Sequence, residues 1–132
     1  VVVLRGRIME KPAGAEGARE MLRALSGQVH QVITGGCVRG RGADGAEKMR
    51  SFAVTTDVEF KALPDEEIEA YINSGEPMDK AGAYAIQGRA AYMIRRIAGS
   101  YTNVVGLPLT ELEETLSAEF GVKPTFHGPA GA

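Results

Sequence analysis

Residues 52–60, "FAVTTDVEF", restrict the fold more than any other stretch. Phe52, Val54, Val58 and Phe60 alternate with Thr55, Asp57 and Glu59. A period of two is the mark of a strand with one buried face. Such a strand needs sheet neighbours for its backbone and a covering layer for its apolar side. With 132 residues, the chain has material for one domain and too little for two ordinary ones.

The other elements supply that layer. Val1 to Leu4 form a β-branched run. The turn Arg5-Gly6-Arg7 and the pair Ile8-Met9 follow, which predicts a hairpin. Pro12 biases Lys11 away from helix. Glu16 to Leu25 are predicted helical, with Met21, Leu22 and Leu25 on one face and Ser26-Gly27 as the stop. Val29 to Val38 form a predicted strand. Arg39 to Gly45, "RGRGADG", form a predicted loop, whose basic cluster with Lys48 and Arg50 is taken as solvated. Pro64 opens a helix carrying Asp65, Glu66 and Glu67 in its first turn, the favoured end for negative charge. Its stripe is Ile68, Tyr71 and Ile72. Ala90 to Ala98 are predicted as a strand. Pro108 starts a last helix with the stripe Leu109, Leu112, Leu116 and Phe120. The expected class is α/β, a mixed sheet flanked by helices. The expected domain covers residues 1–121, with a loose tail at 122–132.

Composition excludes several functions. A net charge of −2 does not suggest a bulk electrostatic nucleic-acid binder. No apolar run approaches the length of a membrane span. The single cysteine, Cys37, excludes an internal disulfide and fits a reducing compartment. It has no evident histidine partner. His30 and His127 are too few for a histidine-rich metal site. The four tyrosines, Tyr71, Tyr84, Tyr92 and Tyr101, are expected in the core or at its edge.

Ser74 to Gly88, "SGEPMDKAGAYAIQG", suits neither helix nor strand. It holds three glycines, three alanines and a proline around Asp79, Lys80 and Gln87. Small residues let backbone approach a ligand and aim N–H groups at one point. Lys80 is a point charge suited to phosphate. Gln87 can donate and accept, which suits a base edge. Asp79 could orient Lys80 or help to hold a divalent cation. The alternative is a tight connection whose lysine faces solvent. "GSYTNVVGLPL", Gly99 to Leu109, has a polar first half, read as a turn, and an apolar second half leading into the last helix.

Four ordered blocks resemble the Maf-type nucleoside triphosphate pyrophosphatases, also called septum formation proteins. "EPMDKAGAYAIQG" is similar to the family's "EPxDKAGAYGIQG", with Ala85 in place of a glycine. "GSYTNVVGLPL", "LSGQVHQVITG" and "LPDEEIEAYINSGEP" resemble three further family blocks. The resemblance implies an elongated, two-lobed α/β fold around a mixed sheet. It implies hydrolysis of dTTP or UTP to the monophosphate and pyrophosphate, a divalent cation (Mg or Mn), nucleotide-pool housekeeping in the cytoplasm, and a possible homodimer.

By the same resemblance, Lys11 in "EKP" and Lys80 are the phosphate-contacting lysines and Gln87 the residue of substrate choice. Glu10 replaces a glycine of the family. A 7-methyl-GTP pyrophosphatase is the weaker alternative, because that branch differs at the "DKAGAYAIQG" block. The family's "GADTVV" block would place its aspartate two positions before Val1. The expectation is therefore an N-terminally truncated member that lacks the catalytic carboxylate, with Asp79 or Glu76 as candidate metal ligands. The rival expectation is a non-catalytic nucleotide-binding or interaction module. A further expectation is that Val1 to Leu4 lie in the central sheet with one neighbour missing or supplied by another chain.

Overall fold

The computed structural model describes residues 1–126; His127 and the end of the expected tail lie outside them. The chain builds a five-stranded sheet with helices around it. The strands are β1 (Val2–Leu4), β2 (Arg7–Met9), β3 (Val29–Arg41), β4 (Glu47–Phe60) and β5 (Ile94–Ala98). Their order is β2-β1-β3-β4-β5. The pairs β1–β2, β1–β3 and β4–β5 are antiparallel, so none of them supplies the parallel component that a mixed sheet implies. The helices are α1 (Ala15–Leu25), α2 (Asp65–Asn73), α3 (Tyr101–Val105) and α4 (Leu109–Phe120).

The first hairpin forms where it was expected. Arg5 (φ 50°) and Gly6 (φ 77°) both take left-handed backbone. This matches the primed turn that fits the twist of a two-residue hairpin. Val2 stands opposite Met9 on one side and Val32 on the other. Both edges of β1 are therefore paired, which corrects the expectation of a missing neighbour.

Two boundaries moved for a common reason. β3 runs on to Arg41 and β4 begins at Glu47, so the expected loop shrinks to residues 42–46. The Gly42 N–H donates to the Ala46 carbonyl at 2.8 Å, and Asp44 accepts from the Ala46 N–H at 3.0 Å. A hairpin arm with solvent beside it does not need an apolar face, so the alternation signal fades before the strand does. The expected strand from Ala90 is also shorter. Arg89–Met93 form 3₁₀ turns before β5. The polar turn at Tyr101 is helix α3, capped by the Ser100 hydroxyl, which accepts from the Asn103 N–H at 3.1 Å.

The chain forms two compact units. The first comprises residues 1–34 and 54–108 and holds the core. On α1, Ala18, Leu22 and Leu25 are buried at helical spacing; on α2, Ile68, Tyr71 and Ile72 are. They pack with Val2, Val32, Val58 and Phe60 of the sheet. Each fully buried large aliphatic side chain contributes about 2–3 kcal/mol relative to exposure. Arg19 of α1 makes a forked ion pair with Glu69 of α2, its Nη2 lying 3.0 Å from Oε2. Tyr71 and Tyr84 are buried, whereas Tyr92 and Tyr101 are largely exposed rather than in the core. The second unit comprises residues 35–53 and 109 onward. Within it, Arg50 pairs with Glu119 at 3.0 Å and Lys48 with the same carboxylate at 3.6 Å, so part of the basic cluster is neutralised.

Candidate functional site

The segment after α2 explains its own composition. Gly75 (φ 80°) ends the helix, and Glu76–Asp79 and Ala81–Ala83 form successive 3₁₀ turns. Gly82 (φ 70°) lies against β1. A Cβ there would stand 2.9 Å from Val2 Cγ1, on backbone that side chains rarely adopt. The Gly82 N–H donates to the Glu10 carbonyl at 3.2 Å, and the Ala83 N–H to the Lys80 carbonyl at 2.9 Å. The small residues therefore serve packing, and these two N–H groups are already engaged. These two are therefore not among any amides left to face a phosphate.

Glu76 closes the far end of the segment. Both of its carboxylate oxygens accept from the Arg89 N–H at 3.1 Å. Gly88 makes room for this, because a Cβ there would fall 2.4 Å from Glu76 Oε1. Partial burial pushes the Glu76 carboxyl up, but the Tyr71 hydroxyl and the N–H groups of Arg89 and Ala90 hold it below its ordinary value. Tyr71 is near enough to act electrostatically without a well-formed hydrogen bond. Glu76 is thus a structural clasp, which weakens its candidacy as a metal ligand.

The contact between Glu10 and Gly82 brings the two ends of the site together. Lys80 Nζ lies 2.8 Å from Asp79 Oδ1. The Asp79 carboxyl is held below its usual range, first by the hydrogen bond from Lys80 and then by the charge of Lys80, with Lys11 adding to it. Lys11 is exposed and makes no hydrogen bond among the described residues. Lys80 and Asp79 thus form a contact pair, and Lys11 is near enough for its charge to be felt at Asp79. Two shallow grooves of about 550 Å³ each flank Lys11. Both are lined by Ile8, Met9 and Glu10; Ala81 lines one, and Arg7 and Met21 the other.

Gln87 stands apart. It is exposed in the turn before Gly88, and no described contact joins it to either lysine. A cation fits the described residues poorly. Among them, no group of three or more His, Cys, Asp or Glu side chains converges. Glu76 is engaged by backbone, and Asp79 is paired with the Lys80 ammonium.

Asn103 escaped the sequence reading, and His30 was expected as a surface or satisfied histidine. His30 is buried, and its Nε2 lies 2.6 Å from the Tyr84 hydroxyl. Burial lowers its pKa to about 4. Asn103 is fully buried, and its Nδ2 donates to the carbonyls of Val32 (3.0 Å) and Val54 (3.1 Å) and to Thr56 Oγ1 (3.1 Å). The Ser-x-x-Asn spacing at Ser100 marks a capped turn, but nothing in it shows that the carboxamide would turn inward.

The "Maf-like protein" family matches residues 1–119. The chain belongs to the Maf-like family. A dTTP/UTP pyrophosphatase of Geobacter sulfurreducens is 60% identical over 116 residues, which is 88% of this chain and 59% of that protein. A dTTP/UTP pyrophosphatase of Yersinia pestis is 52% identical, over 89% of this chain and 57% of its own length. A nucleoside triphosphate pyrophosphatase of Shigella flexneri is 51% identical over the same shares. This Maf-like chain therefore spans a little under three fifths of the curated relatives it matches.

Proposed function

We propose that this chain binds the triphosphate of dTTP or UTP through Lys11 and Lys80, as the larger part of a nucleoside triphosphate pyrophosphatase. The observation that carries this reading is the Lys80–Asp79 pair, with the charge of Lys11 felt at the same carboxylate. An incoming phosphate would replace Asp79 as the partner of Lys80. Two ammonium groups would then neutralise charge on the phosphates, most strongly as a pyrophosphate leaving group develops. The names of the relatives support pyrimidine triphosphates as substrates. Gln87, exposed and unbonded, is free to turn its carboxamide to a uracil or thymine edge. A cytoplasmic setting and a homodimer fit the same reading.

A Mg or Mn ion would supply charge neutralisation and an activated water. The described residues do not build a site for it, so its ligands are assigned to the part of the family's length that this chain does not span. One reading follows for the chain on its own, namely nucleotide binding without turnover, favoured by the lack of converging carboxylates among the described residues. Pyrophosphate release from UTP, measured with Mg²⁺, tests both. The expected result is little release by the 132-residue chain and clear release by a version extended to the length of its relatives. No release by the extended version, assayed beside an active relative, overturns the enzymatic reading.

Asp79 has its own test. If it only screens the lysines, Asp79→Asn removes repulsion and tightens UTP binding without metal by about threefold to tenfold. Weaker binding that appears only with Mg²⁺ would restore Asp79 as a metal ligand.

A further inference from the structure

We infer that His30 is a positioning residue for the nucleotide site and acts through Tyr84. The inference rests on the proposed roles of Lys80 and Gln87. Tyr84 lies between them in the chain, on the segment that must hold both. That segment is anchored at three places. The Glu10 carbonyl takes the Gly82 N–H, the Glu76 carboxylate takes the Arg89 N–H, and the Tyr84 hydroxyl meets His30 Nε2 at 2.6 Å. The first two use backbone N–H groups. The third is a buried side-chain bond to β3, so it ties the segment to the sheet.

The geometry around that bond is closed. The His30 ring meets Phe60 edge-on at 5.1 Å and 85°, and Tyr84 at 5.3 Å and 82°. Phe60 and Tyr84 meet at 4.8 Å and 73°. Three mutually perpendicular rings from β3, β4 and the segment leave Tyr84 little freedom. His30 Nδ1 is buried and unpartnered. A leucine would fill this place without stranding a polar atom, and a buried unpartnered nitrogen is costly. The position gains one thing from histidine that leucine lacks, which is the hold on the Tyr84 hydroxyl. Among the described residues no carboxylate or ammonium bonds to the ring, and its one hydrogen-bond partner is the Tyr84 phenol.

Tyr84→Phe removes the bond and keeps the ring; His30→Leu removes it from the other side. His30→Gln keeps an amide able to bond the phenol. In UTP binding by the 132-residue chain, Tyr84→Phe and His30→Leu are each expected to weaken affinity about fivefold to tenfold. The double variant should lose no more than the worse single one, and His30→Gln should recover part of the loss. Hydrogen exchange supplies a readout that needs no nucleotide. In Tyr84→Phe the amides of Gly82, Ala83 and Gly88 should lose at least about tenfold in protection, while the Ile33 amide on β3 keeps its own. Failure of the unmodified chain to bind UTP would count against the proposed function and leave the exchange result to decide the role of His30. Unchanged exchange at Gly82–Gly88, or UTP affinity in Tyr84→Phe equal to that of the unmodified chain, overturns the inference.

Discussion

Replacing Asn103 with alanine is expected to destabilise the first unit by about 3–4 kcal/mol. The carboxamide donates to Val32 on β3 and to Val54 and Thr56 on β4. These acceptors lie in the interior, where no water replaces the lost donor. Each buried acceptor that loses this donor costs about 1–3 kcal/mol, and the small cavity adds to that. Thr56 is engaged on its other side, where its hydroxyl donates to the Ser100 carbonyl at 2.9 Å, so it cannot turn to compensate. Asn103→Asp should be at least as severe, because it sets a carboxylate oxygen against two carbonyls. Urea unfolding at neutral pH measures both. A loss below about 1 kcal/mol for Asn103→Ala would show that the strands carry this region without the carboxamide.

The second large effect is a pH dependence from His30. Its folded-state pKa is about 4, against an ordinary value of 6.5, because burial disfavours the cation. The unfolded chain therefore holds more protons than the folded one between these values. Stability from this group is complete above pH 6.5 and is lost as pH falls towards 4. The full contribution is about 3 kcal/mol, of which about 2 kcal/mol is lost between pH 7 and pH 5. Asp79, Glu67, Glu69 and Glu76 are also held low, so their contributions are present above the ordinary carboxylate range and fade only at lower pH. The window between pH 5 and 6.5 thus belongs mainly to His30. Unfolding midpoints across it should fall with pH in the unmodified chain and flatten in His30→Gln. An equal slope in both would place the proton elsewhere.

What the sequence made legible follows a physical line. Where burial is one-sided, pattern and structure agree. The alternation at Val54, Val58 and Phe60, the stripe of α2 and the hairpin turn at Arg5-Gly6 all lie where the periodicity puts them. Where an element is exposed or irregular, the signal failed. The hairpin arms beyond Val38 and before Phe52 carry charged residues with no buried face to impose a period. Met93, inside the expected strand from Ala90, is buried at the end of a 3₁₀ turn, and its burial looks the same in a sequence. Lys11 and Lys80 were expected as site residues through family blocks, but the contact between Glu10 and Gly82, which joins their two segments, is encoded by no pattern. Asn103 was missed, and His30 was left open between surface and interior, because one inward polar residue has no periodicity of its own. Its partners are main-chain carbonyls or a distant phenol.

The convergence of Lys11 and Lys80 on one phosphate-binding place is tested most directly by titrating UTP into the 132-residue chain at low salt, without metal, beside Lys11→Ala, Lys80→Ala and the double variant. Each single variant should weaken binding about tenfold. The double variant should lose about a hundredfold if both charges touch the same triphosphate, with a shallower salt dependence than the unmodified chain. Far-UV circular dichroism would confirm that each variant is folded. A double variant that is folded and binds UTP as tightly as the unmodified chain would contradict the assignment of the triphosphate to these two lysines.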